Sequence, residues 1–90
     1  MYQLDLQYGG KQYTYTGCAE SLAKIYCQLL GLELYVENNI LFADCSSFCK
    51  QTIAYISDFT PGDNMYQLLF DNYLKVDFGQ ESWKITAIAA

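Results

Sequence analysis

The sequence predicts an α+β fold: an antiparallel sheet of β-hairpins with two or three helices packed on one face. Two observations indicate hairpins. Polar and apolar residues alternate on both sides of Gly9-Gly10, and they alternate in the same way on both sides of Asn38-Asn39. A third indicates a helix, because apolar residues recur every three or four positions between the hairpins. The ninety residues fit one small globular domain, 1–90.

The first hairpin is predicted over residues 2–16. Gly9 and Gly10 supply the positive φ angles that a two-residue primed turn needs. That turn pairs Leu6 with Tyr13, and Leu4 with Tyr15, so the apolar side chains share one face. The opposite face then carries only polar side chains, which are Gln3, Asp5, Gln7, Gln12 and Thr14.

A helix is predicted next, from about residue 18 to residue 30. Thr16 or Gly17 is the expected N-terminal cap, and Gly31 suits the left-handed position that ends a helix. The apolar stripe consists of Cys18, Leu22, Ile25, Tyr26 and Leu29.

A second hairpin is predicted to turn at Asn38-Asn39. A two-residue loop there pairs Val36 with Leu41 and Leu34 with Ala43 on the core face. A second helix should follow, capped by Asp44 or Ser46 and ending near Phe59. Its expected buried stripe is Phe48, Cys49, Thr52, Ile53, Ile56 and Phe59.

The C-terminal third allows two interpretations of residues 64–72. Asn64 and Gln67 resemble a capping pair at the start of a short helix, whereas Met65 to Phe70 can also be a strand. The helix is favoured, because the strand would place Gln67 on the same face as Leu69. Alternation then predicts a strand from Tyr73 to Phe78, a turn at 79–81 and a final strand over 82–89.

The composition excludes several classes of function, because the chain contains no histidine and no arginine. Catalytic systems with a histidine base, histidine metal sites and guanidinium contacts to bases all need those residues. Ten carboxylates against five lysines give a net charge of −5, which disfavours direct nucleic-acid binding and anionic membranes. The same charge suits a protein partner with a basic surface.

No targeting signal is apparent in the sequence. The N-terminus lacks the basic start and apolar run of a signal peptide, and no apolar stretch approaches the length that spans a bilayer. We therefore expect a cytoplasmic protein whose four cysteines are reduced.

The cysteines are the strongest candidates for chemistry. Cys45 and Cys49 lie four residues apart, but the eight residues between Cys18 and Cys27 do not match the close pairs of a zinc site. Cys18 and Cys45 lie at predicted helix N-termini, where a thiol pKa can fall. Without a histidine base neither is a convincing nucleophile, so we expect no metal, no cofactor and no enzymatic activity.

The outward side of the second hairpin is the predicted partner-binding surface. With Leu34 and Val36 facing the core, the outward residues are the aromatic and apolar Tyr35, Ile40 and Phe42 beside the acidic Glu33 and Glu37. Aromatic anchors with a charged rim are typical of recognition surfaces.

The leading hypothesis is a non-enzymatic acidic protein-binding module that inhibits or regulates a basic partner. A concrete version is a phage or mobile-element anti-defence protein that occupies the nucleic-acid-binding surface of a host factor. Two alternatives belong to other classes. One is a small-ligand-binding or thiol-dependent protein that uses the tyrosines and cysteines, and the other is a homo-oligomeric structural protein.

Overall fold

A computed structural model describes residues 1–45, 48–56, 64–76 and 82–88, excluding the side chains of Cys45, Phe48 and Cys49. The elements are β1 (Tyr2–Tyr8), β2 (Lys11–Gly17), α1 (Ala19–Leu30), β3 (Glu33–Glu37), β4 (Ile40–Cys45), β5 (Phe48–Tyr55), α2 (Met65–Leu69), a π-helical turn (Phe70–Leu74) and β6 (Trp83–Ala87). The α+β fold class is confirmed. The strands form two antiparallel three-stranded sheets rather than one.

The first sheet has the strand order β2-β1-β6. Its hairpin has the predicted register, with Leu6 opposite Tyr13 and Leu4 opposite Tyr15. The turn uses positive φ at both glycines, 61° at Gly9 and 77° at Gly10. β6 pairs along the other side of β1, which confirms a strand within residues 82–89.

Helix α1 has the predicted extent, but its N-terminus differs from the prediction. The cap position is occupied by Cys18, which makes no side-chain capping hydrogen bond, and not by Thr16 or Gly17. Gly17 is not available as a cap because it is still paired with Tyr2 as the last residue of β2. At the other end, Gly31 has φ 69° and its N–H donates to the Cys27 carbonyl, as a left-handed cap should.

The second sheet has the strand order β3-β4-β5. The hairpin β3–β4 also has the predicted register, with Val36 opposite Leu41 and Leu34 opposite Ala43. Asn38 and Asn39 take φ angles of 51° and 62° at its turn. Asparagine tolerates this left-handed region better than most residues, which explains the sequence at that point.

The helix predicted from Asp44 or Ser46 to Phe59 is wrong. Residues 48–55 form β5, which pairs antiparallel with β4. Short apolar runs fit both periods, and β4 offers this segment, with its β-branched Thr52 and Ile53, a free edge to pair with. A register shift between Leu41 and Phe42 leaves Ile53 as an extra residue, and its side chain packs against the core. Residues 57–63, including Phe59, lie outside the described ranges.

The helical interpretation of residues 64–72 is confirmed. The Asn64 side chain accepts hydrogen bonds from the backbone N–H groups of Tyr66 and Gln67, at 2.9 and 3.3 Å. Gln67 does not return the capping bond but donates to Asp71.

The strand predicted to begin at Tyr73 is wrong over the residues described. The chain continues from α2 as a π-helical turn to Leu74. Phe70 and Leu74 are both buried in this turn, so burial overrides the local alternation. Residues 77–81, which hold the rest of that strand and its turn, lie outside the description.

Both sheets pack on the same core. One cluster of buried residues joins β1, β6, α1, α2 and the π-helical turn. Leu34 and Ile53 of the second sheet pack against this cluster, as does Leu32, which directly precedes β3. The second sheet therefore turns one face inward and leaves the other without contact to this cluster. No helix within the described ranges is long and apolar enough to cross a bilayer.

Candidate functional site

The outer face of the second sheet carries the predicted partner-binding residues. Side chains directly opposite one another in antiparallel strands share a face, so the observed register fixes its members. They are Glu33, Tyr35 and Glu37 from β3, Ile40, Phe42 and Asp44 from β4, and Lys50, Thr52 and Tyr55 from β5. All five residues predicted for partner binding are therefore on one surface.

Tyr35 and Phe42 form the centre of this outer face. They are directly opposed in the register, and their ring centroids lie 5.5 Å apart with planes inclined by 33°. Both side chains are half-buried, and neither is among the residues packed against the core. The predicted ring pair is thus present, and sheet neighbours rather than the core hold it.

Lys50 adds a positive charge that the sequence prediction did not place there. Its Nζ lies 4.0 Å from the centroid of the Phe42 ring and 5.4 Å from that of Tyr35. The same Nζ is 3.7 Å from Oε2 of Glu37. A hydrogen bond with the Tyr35 side chain raises the pKa of Lys50, and the Glu37 carboxylate acts in the same direction.

Tyr55 is the second residue that sequence reasoning missed on this face. It pairs with Ile40 in the register and remains 81% exposed. Among the described large hydrophobic side chains none is more exposed. Both Tyr55 and Lys50 were missed because residues 48–55 were predicted to be helical. The β-branched and aromatic composition of this segment is the signal that could have indicated a strand.

The carboxylates lie at the two ends of the outer face. Glu33 is opposite Asp44 at one end, and Glu37 is beside Ile40 at the turn end. Against Lys50 they leave two negative charges on the face. Such an arrangement of aromatic and apolar groups between carboxylates can bind a basic surface by stacking, cation–π contact and charge pairing.

The outer face of the first sheet has a different chemistry. Thr14 donates to Oδ1 of Asp5 at 2.9 Å, and Gln3 donates to Oδ2 of the same carboxylate at 3.2 Å. The carboxylate of this polar surface therefore has hydrogen-bond donors from its own sheet. That surface also lacks an aromatic anchor among the residues predicted for it, Gln3, Asp5, Gln7, Gln12 and Thr14.

The two described thiols are both free and differ in environment. Cys18 is exposed, and its Sγ lies 3.2 Å from the Ser21 hydroxyl, a hydrogen bond that lowers the pKa of Cys18. Cys27 is buried, and burial raises its pKa to about 11. Within the described ranges, no three His, Cys, Asp or Glu side chains are grouped so that they could hold a metal ion.

Comparisons of the chain with protein-family models, with curated proteins and with solved structures found no match. A function must therefore be inferred from the side chains themselves.

Proposed function

We propose that this protein is a non-enzymatic binding module that docks on a basic surface of a protein partner through the outer face of its second sheet. It acts there as an inhibitor or regulator. The concrete version is a phage or mobile-element antagonist whose carboxylates take the place of phosphates on a nucleic-acid-handling factor.

Tyr55 is the observation that carries this proposal. A tyrosine 81% exposed within a paired strand is available as an anchor, and tyrosine is enriched at the energetic centres of protein interfaces. Ile40 lies directly opposite and extends the apolar surface toward Phe42.

Charge supports a basic partner in particular. The outer face holds Glu33, Glu37 and Asp44 against one lysine, and the whole chain carries a net charge of −5. Because the outer face and the whole chain are both negative, association with a positive surface is accelerated and association with a negative surface is disfavoured.

The test compares two exposed tyrosines in affinity capture from an extract of the source organism. Tyr55→Ala removes the proposed anchor, whereas Tyr8→Ala removes a tyrosine that is 44% exposed in β1 of the first sheet. We expect the partner to be retained by the wild type and by Tyr8→Ala. With the purified partner, Tyr55→Ala should lose about 2 kcal/mol of binding free energy, as at an interface hot spot.

Salt dependence provides the second arm of that test. Binding of the purified partner should weaken steeply as salt rises, and the Glu33→Lys variant should flatten this dependence. A partner whose binding is unchanged by Tyr55→Ala would exclude this face as the docking surface. Loss of binding in Tyr8→Ala would place the contact on the first sheet instead, and binding that is independent of salt would exclude a basic partner surface.

Homo-oligomeric assembly is a second candidate, and the edge strand β2 favours it. Within the described part of the chain β2 pairs with β1 alone, over its full length and without a register shift. Its only charged residue is Lys11 at the turn end, so an antiparallel pair of two copies would place the two lysines at opposite ends, without close repulsion. Sedimentation of the wild type and of a Gln12→Lys/Thr16→Lys variant tests this: a dimer converted to a monomer supports it, and a monomeric wild type excludes it.

A further inference from the structure

The position of the Lys50 ammonium identifies a small cation site within the outer face. Nζ lies 4.0 Å from the Phe42 ring centroid, 5.4 Å from the Tyr35 centroid and 3.7 Å from the Glu37 carboxylate. Two aromatic faces and one carboxylate thus converge on a single alkylammonium group. Aromatic rings attract cations through their negative faces, and a nearby carboxylate adds direct charge attraction.

Lys50 occupies this site loosely. Its side chain remains 42% exposed and that of Glu37 59% exposed, so both the ion pair with Glu37 and the hydrogen bond with the Tyr35 side chain compete with water. An ion pair this exposed contributes little to stability. The flexible lysine also loses side-chain entropy by staying on the rings. Leaving the site therefore costs the protein little.

We propose that the site receives a lysine or arginine side chain of the basic partner, and that Lys50 is an internal competitor that moves away when the partner docks. This inference rests on the proposed function. It specifies the chemistry that the partner must present, which is a protruding cationic side chain that can reach the Phe42 and Tyr35 rings beside Glu37.

The reason to assign the site to a partner rather than to fold stability is its location. Neither ring packs against the core, and the nearby Tyr55 and Ile40 continue the apolar surface outward. An incoming cation would replace Lys50 without disturbing any buried contact among the described residues.

The experiment uses the full chain and a blocked tetralysine peptide, with blocked tetraglutamine as the neutral probe. Binding is followed by NMR through the ring signals of Phe42 and Tyr35. Lys50→Met removes the competitor while it keeps an apolar stem over the rings. We expect this variant to bind tetralysine about threefold more tightly than the wild type, because a change of that size corresponds to the free energy of an exposed cation–π contact.

Lys24→Met is the matched control, because it makes the same change in net charge at a comparable site. Lys24 is 50% exposed, pairs with Glu20 and lies 5.5 Å from the centroid of the Tyr66 ring. The affinity for tetralysine should rise distinctly less in Lys24→Met than in Lys50→Met. Adding Phe42→Leu to Lys50→Met should abolish the gain, and thermal unfolding of each variant verifies that it is folded.

The outcomes separate this inference from the proposed function. Equal affinities for Lys50→Met and Lys24→Met, or ring signals that respond to tetraglutamine as well, would overturn the competitor role even if Tyr55→Ala still abolishes partner capture. A gain in tetralysine affinity that is specific to Lys50→Met would support the cation site. If Tyr55→Ala then still captures the partner, the docking function is rejected while the cation site is retained. If Lys50→Met is unfolded, Lys50→Gln replaces it, and the same comparison decides.

Discussion

Cys18 and Cys27 belong to the same stretch of chain but have opposite chemical environments. Cys18 lies at the exposed N-terminus of α1, where its hydrogen bond with Ser21 favours the thiolate and lowers the pKa. Cys27 lies on the buried side of the helix, where loss of water disfavours the thiolate and raises the pKa to about 11. Reactivity should therefore differ between them.

Alkylation measures this difference directly. With iodoacetamide near pH 8, Cys18 should be modified well before Cys27, since a lower pKa leaves more thiolate at that pH. Ser21→Ala should slow the modification of Cys18, because its thiol pKa then rises. Peptide mapping by mass spectrometry resolves the sites, and Ser82→Ala, an exposed serine elsewhere, serves as the control. Modification of Cys27 first would contradict this account of their environments.

At the scale of elements, the two hairpins depend on turn residues with positive φ. Gly10 has φ 77°, and a Cβ built there would meet no atom within 4 Å. A side chain at this position is therefore opposed by backbone conformation alone and not by crowding.

Gly10→Val should lower the free energy of unfolding by about 1 kcal/mol or more, because a β-branched residue resists positive φ. The midpoint of denaturant unfolding measures this cost. Gln12→Val is the control, since position 12 is exposed within β2, where a β-branched residue is well suited. An unchanged midpoint for Gly10→Val would mean that the turn does not need a glycine there.

At the scale of the molecule, Leu69 at the end of α2 contacts both sheets. Leu69 is fully buried in the core cluster, and it also lines a cavity of about 20 Å³ together with Ala43 and Ile53 of the second sheet. A cavity this small has the volume of about one water molecule, far below that of a ligand pocket. Leu69 thus contributes to the packing of both sheets.

Leu69→Ala should cost about 2–5 kcal/mol, as removal of a buried leucine does. Trp83 fluorescence reports on the first sheet, and the NMR signals of the Tyr35 ring report on the second. Both probes should shift to the same lower midpoint. Val76→Ala, at a position 70% exposed, should change stability by less than about 0.5 kcal/mol. Separate midpoints for the two probes in Leu69→Ala would show that the sheets do not share one cooperative core.

The sequence alone determined the elements whose information is local. Both hairpin registers follow from two adjacent residues that accept positive φ and from strict alternation around them, and α1 follows from its stripe and from Gly31. The same local information placed Tyr35 opposite Phe42 with Glu33 and Glu37 beside them. The ring pair at the centre of the candidate site was therefore predictable.

Only the tertiary structure decided the fate of residues 48–55 and 73–74. Their apolar spacing fits more than one period, so the choice depends on what each segment pairs or packs with: one segment pairs as a strand with β4, the strand that precedes it, and burial of Phe70 and Leu74 keeps the other helical. That choice also brought Lys50 and Tyr55 onto the outer face, where they supply its cation and its most exposed anchor. The free energy of strand pairing depends on the partner strand and on burial as well as on the segment itself, so it is not encoded in the apolar spacing of the segment alone.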